Sequence, residues 1–224
     1  GYLEGQAGAG TFVAQVPPPA SSRKRTGRIS GSGELSPRGR RMGSTPATRA
    51  KPLGGVQPFQ PGQPALDLFP RAEFARLTGR VYRDLSGDAF GYGHAAGRPA
   101  LREALAAYLR LSRGVRCEAG QIIITQGSQE ALDLCARMLL EPGDVAYLED
   151  PGYMGARGAF LAAGARLVSL PVDENGARPP AKPPASRRAL VYVTPSHQFP
   201  LGHTMSLERR LRLLEWAAAR RAWI

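Results

Sequence analysis

The chain has 224 residues, 42% of them hydrophobic, with 30 Lys+Arg against 18 Asp+Glu for a formal net charge of +12. The excess is concentrated: residues 1–55 hold 9 basic and 2 acidic side chains, while residues 56–224 hold 21 and 16, so the charge does not describe a basic globular surface. Two cysteines, Cys117 and Cys135, exclude a disulfide scaffold and a cysteine-based structural zinc site, and the absence of any run of 18 apolar residues excludes a membrane-spanning helix.

Residues 1–14, GYLEGQAGAGTFVA, read as two short strands around a Gly-rich turn, with Thr11, Phe12 and Val13 supplying β-branched and aromatic character. Two strands are marginal alone, so this hairpin is expected to be the tail of something larger. Residues 15–55 are rich in Pro, Gly, Ser and Arg and lack apolar periodicity. Such a segment cannot bury enough surface to offset its ordering entropy, and a disordered basic linker is expected. As a flexible coil its ends would average about 35 Å apart.

The globular part is expected to begin at Val56. Residues 71–85 have helical spacing at Phe74, Leu77 and Val81. Pro99 opens a second helix, with Leu101, Leu105, Tyr108 and Leu111 on one face. QIIIT (121–125) reads as a buried strand and Gln129–Leu140 as a helix. VAYLED (145–150), RLVSLPV (166–172) and ALVYVTP (189–195) read as strands, and AWI (222–224) as the start of another. Residues 153–163, ended by Gly164, and Leu207–Arg220 read as helices. Strands alternating with helices predict an α/β fold, a mostly parallel sheet with helices on both faces.

Ligands in such sheets bind beyond the carboxyl ends of strands, and three strand ends carry unusual residues. In Thr125-Gln126-Gly127-Ser128-Gln129, Gly127 permits a sharp turn and Ser128 suits a helix start. Free N–H groups there suit a phosphate, although an ordinary capped turn has the same composition. In Glu149-Asp150-Pro151-Gly152-Tyr153, the Pro-Gly turn presents Tyr153 either for stacking on a planar ring or for packing. In the third, Thr194–Gly202, two prolines and a glycine stiffen a loop holding Ser196, His197 and Gln198, polar groups either for a ligand or for one another. Tyr92, flanked by glycines in YGHAAG (92–97), is a fourth candidate or a packing residue. His94, His197 and His203 lack metal-ligand spacing, and no metal site is assigned. No charged-then-apolar leader opens the chain, so a cytoplasmic protein is expected. Lysines occur only at 24, 51 and 182.

Four stretches in this order, YGHAAGRPALREALAAYL (92–109), IIITQGSQEALDL (122–134), YLEDPGYMGARGAF (147–160) and VYVTPSHQFPLGHTMSLERR (191–210), resemble the class I/II aminotransferase-like domain of type I pyridoxal-phosphate proteins. Together with the opening hairpin, which resembles the last strand–wing–strand of a GntR-type winged helix, they resemble the MocR/GabR group of transcriptional regulators. The resemblance implies three parts: 1–14 the end of a winged helix, 15–55 the linker, and 56–224 the first part of a pyridoxal-phosphate-binding domain. It implies that Gly127, Ser128 and Gln129 hold the cofactor phosphate, that Tyr153 stacks on its ring, and that Tyr92 reaches the phosphate site of a partner subunit. Related aminotransferases have Asn before the proline of the third loop, where this chain has Phe199, and no role is assigned to His197 or Gln198.

The resemblance also implies an Asp that pairs with the cofactor ring, the lysine that carries the cofactor and a phosphate-binding Arg, all beyond Ile224, and DNA-reading helices before Gly1. The chain is therefore expected to be an interior fragment of a dimeric, DNA-binding regulator whose effector is pyridoxal 5'-phosphate or its adduct with an amino acid. The alternative is a pyridoxal-phosphate-dependent aminotransferase acting on an amino acid and a 2-oxo acid. A wing-like hairpin and a basic linker favour the regulator.

The basic segment generates one prediction. With Arg23, Lys24, Arg25, Arg28, Arg38, Arg40 and Arg41 but no major-groove helix, the chain should bind unrelated DNA duplexes with similar affinity. In fluorescence anisotropy across a salt series the affinity should fall with a log–log slope of about −0.9 per phosphate neutralised. A preference of about a thousandfold for one duplex would contradict it.

Overall fold

VAYL, the apolar run at 145–148, has no polar alternation, and a strand of this kind must be covered on both sides. The structure, a computed structural model, describes residues 3–13, 34–43, 64–181 and 188–224. These fall into two units, Gly1–Leu35 and Ser36–Ile224.

The first unit contains the expected hairpin. Strands β1 (Leu3–Gln6) and β2 (Gly10–Val13) pair antiparallel, with Leu3 opposite Val13 and Gln6 opposite Gly10. The turn needs its glycines: Gly8 and Gly10 have φ of +85° and +98°, a region that Cβ-bearing residues avoid.

The second unit begins inside the segment read as a linker. Pro37–Gly43 forms a short helix, α1, which packs on a later helix, α5 (Met154–Ala162). The expectation of disorder fails here for a local reason. Ser36 starts the helix, its hydroxyl accepting from the Gly39 N–H at 3.0 Å and its carbonyl from Arg40 N–H at 2.9 Å, and Pro37 suits the first helical position. Linker residues 15–33 and 44–55, and the lysines at 24, 51 and 182, lie outside the described residues.

Four strands form the main sheet: β3 (Val145–Asp150), β4 (Arg166–Asp173), β5 (Gly176–Ala177) and β6 (Ala189–Tyr192), in the order β5-β4-β3-β6. The β4, β3 and β6 strands are parallel, and β5 turns back antiparallel on β4. Trp223 extends the parallel set by one bridge to Leu190, so AWI contributes a single residue pair.

The central strand divides its side chains between two cores. Ala146 and Leu148 face α4 (Ser128–Leu139) and α5, meeting Ala136, Ala156, Ala159 and Phe160. Alanines at these positions let the helix backbones approach closely, and Phe160 fills the remaining space at 1% exposure. Val145 and Tyr147 face α6 (Leu207–Arg220), meeting Met205, Leu213 and the ring of Trp216, whose centroid lies 5.3 Å from that of Tyr147. This is the expected α/β architecture with helices on both faces of a mostly parallel sheet.

Two expectations are corrected. Residues 121–125 do not form a buried strand: the backbone is extended at Ile122, but no described strand runs beside it, and Ile123 is exposed. Apart from the turn bonds of Gln121 and Ile122 to Glu118 O and Ala119 O, its backbone tie is Ile124 N–H to Ala96 O at 2.9 Å. The second concerns α3 (Pro99–Arg113), whose Leu101, Tyr108 and Leu111 are exposed, while Arg102 and Ala106 are buried. Arg102 donates to Ala119 O at 3.1 Å and so pins α3 to the 3-10 turn at Ala119–Gln121. The apolar stripe of α2 (Arg71–Asp84), at Phe74, Leu77 and Val81, is likewise exposed.

A bidentate ion pair ties α6 to the sheet edge. Arg209 reaches both oxygens of Asp173, at 2.5 and 2.6 Å, and Arg178 adds a contact at 3.0 Å. The Arg209 hydrogen bond is the main reason that the Asp173 carboxyl is held far below its ordinary value of 3.8. A depressed folded-state value means that this stabilisation is present above the ordinary value and is lost as pH falls below it. Asp173→Asn should therefore lower the urea midpoint at neutral pH, and the gap to the wild type should narrow below pH about 4. A gap that is constant from pH 7 to pH 3 would contradict this role.

Candidate functional site

The carboxyl ends of β3 and β6 and the amino ends of α4 and α5 meet at one edge of the sheet, the place where parallel α/β sheets bind ligands. The last inward residue of β3 is Glu149, a carboxylate only 5% exposed. Burying it costs several kcal/mol unless donors replace its water. They come from the loop after β6. Oε1 accepts the Thr194 N–H at 3.0 Å, and Oε2 accepts the Thr194 hydroxyl and, at 3.3 Å, the Gln198 amide.

Gln198 is also buried, at 3% exposure. Its Nε2 also lies 2.9 Å from Pro151 O and 2.6 Å from Phe199 O, so its two hydrogens are shared among these carbonyls and Glu149, and its Oε1 accepts from Leu201 N–H at 3.0 Å. Every polar atom of this side chain is used within the protein, so Gln198 joins the two loops and has no atom left to offer a ligand. His197 is exposed. Burial, with the nearby Glu149 carboxylate and Tyr153 adding to it, pushes the Tyr192 phenol above its ordinary value.

The two helix starts are brought together by a glycine. A Cβ at Gly155 would fall 2.4 Å from Gln129 Oε1 and 2.5 Å from Tyr153 Cε1. Only a residue without one admits the Tyr153 ring and the Gln129 side chain side by side. Gln129 Nε2 completes the contact by donating to Gly155 O at 3.2 Å. At the start of α4, Gly127 has a φ of +130°, and open space lies where its Cβ would be. The N–H groups of Ser128 and Gln129 have no acceptor among the described residues. The Glu130 carboxylate reaches back to the Gln126 N–H instead.

Of the residues singled out in the sequence, Gly127, Ser128, Gln129 and Tyr153 therefore share one site. The Phe199 ring joins them, its centroid 5.9 Å from that of Tyr153 and its plane at 87° to it. Tyr92 does not join them and stands fully exposed between a 3-10 turn (Gly87–Phe90) and α3. Glu149 and Thr194 were not foreseen. The signal was present as an acid closing a wholly apolar strand, a position that has to be paired. Beside Tyr153, towards β4, a cavity of about 210 Å³ is lined by Asp150, Arg157 and Ser169, with the Ser169 hydroxyl donating to Asp150 at 2.8 Å.

The donor set suits an anionic group at the start of α4 joined to a flat ring against Tyr153. No lysine lies among the described residues.

The aminotransferase class I and II family model matches residues 62–224. The probable rhizopine catabolism regulatory protein MocR of Rhizobium meliloti is 45% identical over 224 residues, all of this chain and 45% of its own length. An uncharacterized HTH-type transcriptional regulator of Bacillus subtilis, YdeL, is 42% identical over 132 residues, 59% of this chain and 28% of its own. The solved α-aminoadipate aminotransferase LysN of Thermus thermophilus, complexed with N-(5'-phosphopyridoxyl)-L-leucine, is 32% identical with a TM-score of 0.62, over 73% of this chain and 41% of its own. The chain spans less than half the length of these relatives.

Gly155→Ala tests the junction of the two helix starts. Its methyl group would displace the Tyr153 ring or the Gln129 side chain, an overpacking that should cost about 1–3 kcal/mol by urea unfolding. An unchanged midpoint would mean that the two helix starts are not in close contact.

Proposed function

The chain belongs to the aminotransferase class I and II family, and from that premise we propose that it is the cofactor-holding part of a MocR-type transcriptional regulator that binds pyridoxal 5'-phosphate. One observation carries the regulator reading. The match to the MocR regulator runs through all 224 residues, the N-terminal hairpin and basic segment included, while the aminotransferase match stops at the α/β domain.

In this reading the N–H groups of Ser128 and Gln129, with the turn at Gly127, hold the phosphate at the positive end of α4. The Tyr153 ring lies against the pyridine ring, and Phe199 limits its sideways movement. When bound, the cofactor supplies an electron-withdrawing ring and an aldehyde that condenses with amines. An amino acid is accordingly the class of effector, and the change it brings is passed to DNA through the rest of a dimer. Tyr92, exposed on its own chain, is available to a second copy.

The aminotransferase alternative differs in outcome. In the intact protein, an amino acid added with pyridoxal 5'-phosphate should change the affinity for operator DNA in fluorescence anisotropy, without continuing release of a 2-oxo acid. Sustained turnover with unchanged DNA affinity would reverse the assignment.

The stacking role makes a sharper prediction. Tyr153→Ala should weaken pyridoxal 5'-phosphate binding by about fivefold to tenfold, on the order of 1 kcal/mol for a lost ring contact, and Tyr153→Phe by less than about twofold. Equal losses in an absorbance titration would point to the hydroxyl and not the ring.

A further inference from the structure

We propose that Thr194 and Gln198, acting through the buried carboxylate of Glu149, are positioning residues that hold the Tyr153 and Phe199 rings as a preformed platform for a flat ligand ring. The inference deepens the cofactor-binding reading and rests on it for the identity of the ligand.

Tyr153 and Phe199 are both half-buried; Tyr153 packs against the core under α4 and α5, while Phe199 belongs to neither core cluster. The placement of Phe199 against Tyr153 therefore depends on the backbones that carry the two rings. Those backbones are tied to one another through the two polar side chains. The Thr194 hydroxyl donates to Glu149 and accepts the Phe199 N–H at 3.2 Å. Gln198 takes hold of the Phe199 carbonyl on one side and the Pro151 carbonyl, two residues before Tyr153, on the other. Phe199 is thus held at both its N–H and its C=O, and the chain entering Tyr153 is held by the same amide.

Glu149 makes the arrangement hard to substitute. All the groups that approach its two oxygens are donors. A neutral amide at this position would turn an N–H towards one of them, and the network would lose a bond and gain a repulsion. The far side of the loop is fixed independently. Arg210 donates to Pro195 O at 2.7 Å and Met205 O at 2.9 Å, so the loop between them is closed by α6. With that end fixed, movement at Thr194 and Gln198 is passed to Phe199 and its ring contact.

The test uses the intact protein labelled with 3-fluorotyrosine, its Tyr153 fluorine signal assigned from Tyr153→Phe. Phe199→Leu gives the signal position without the neighbouring ring. Thr194→Val removes the hydroxyl and keeps the shape, Thr194→Ser keeps the hydroxyl, and Gln198→Met keeps the length without the amide. In Thr194→Val and Gln198→Met the Tyr153 signal should move towards its Phe199→Leu position, and pyridoxal 5'-phosphate affinity should fall by about tenfold, the usual scale for losing an outer-shell partner. Thr194→Ser should stay within about twofold of the wild type.

An unmoved Tyr153 signal in both Thr194→Val and Gln198→Met overturns the proposal. So does a lower melting temperature with ring contact and affinity intact, or a Thr194→Ser variant as impaired as Thr194→Val. Should Thr194→Val fail to fold, Gln198→Met and Thr194→Ser decide by the same signal. A wild type that does not bind pyridoxal 5'-phosphate removes the cofactor reading, and the fluorine signal still decides whether these residues position the rings.

Discussion

A strand covered on both faces has nowhere to put a charge except at its end, and this constraint on β3 organises the molecule. Its four apolar residues serve two cores, and the fifth, Glu149, is still inside. A carboxylate there has to be met by donors, and the donors come from the loop following the neighbouring parallel strand. The desolvation of one side chain thus draws two connections to the same edge of the sheet. The ring platform is built on what that convergence leaves exposed.

The opposite core contributes through α6. Its two consecutive arginines point to different tasks. Arg209 grips Asp173 and the Gly176 carbonyl at the sheet edge, and Arg210 grips the Pro195 and Met205 carbonyls of the site loop. Close packing supports the first grip: Gly176, at a φ of +87°, lies so near Met205 that a Cβ would fall 2.7 Å from its Cα. A helix on one face of the sheet therefore fixes a loop that serves a site between helices on the other face.

Local patterns in the sequence were enough for the elements that pack within the chain. The β3, β4 and β6 strands announce themselves by apolar runs, α6 by its spacing and the Ser206 cap, and Gly164 by the need for a residue that tolerates a φ of +83°. Tyr153 was legible as a strand-end residue because the α/β alternation says where such ends collect, and Gly127 to Gln129 as a glycine turn at a helix start. The failures share a different cause. QIIIT has strand composition, but a strand exists only with a neighbour to pair with, and pairing is not a local property. The apolar stripes of α2 and α3 were visible, while the exposure of Phe74, Leu77 and Val81 and of Leu101, Tyr108 and Leu111 was not. Gln198 was left without a role because two of its partners lie 47 and 49 residues away in sequence, and Ser36 was overlooked because a capped helix of seven residues is brief within a run of Pro, Gly and Ser.

The docking of α1 on α5 has a consequence for where the α/β unit begins. Pro37–Gly43 packs on Met154–Ala162, so the unit starts at Ser36, upstream of the apolar pattern that opens at Val56. A chain cut at Val56 would keep every strand of the sheet and still strip α5 of a neighbour, which makes Ser36 the physical start of the folding unit.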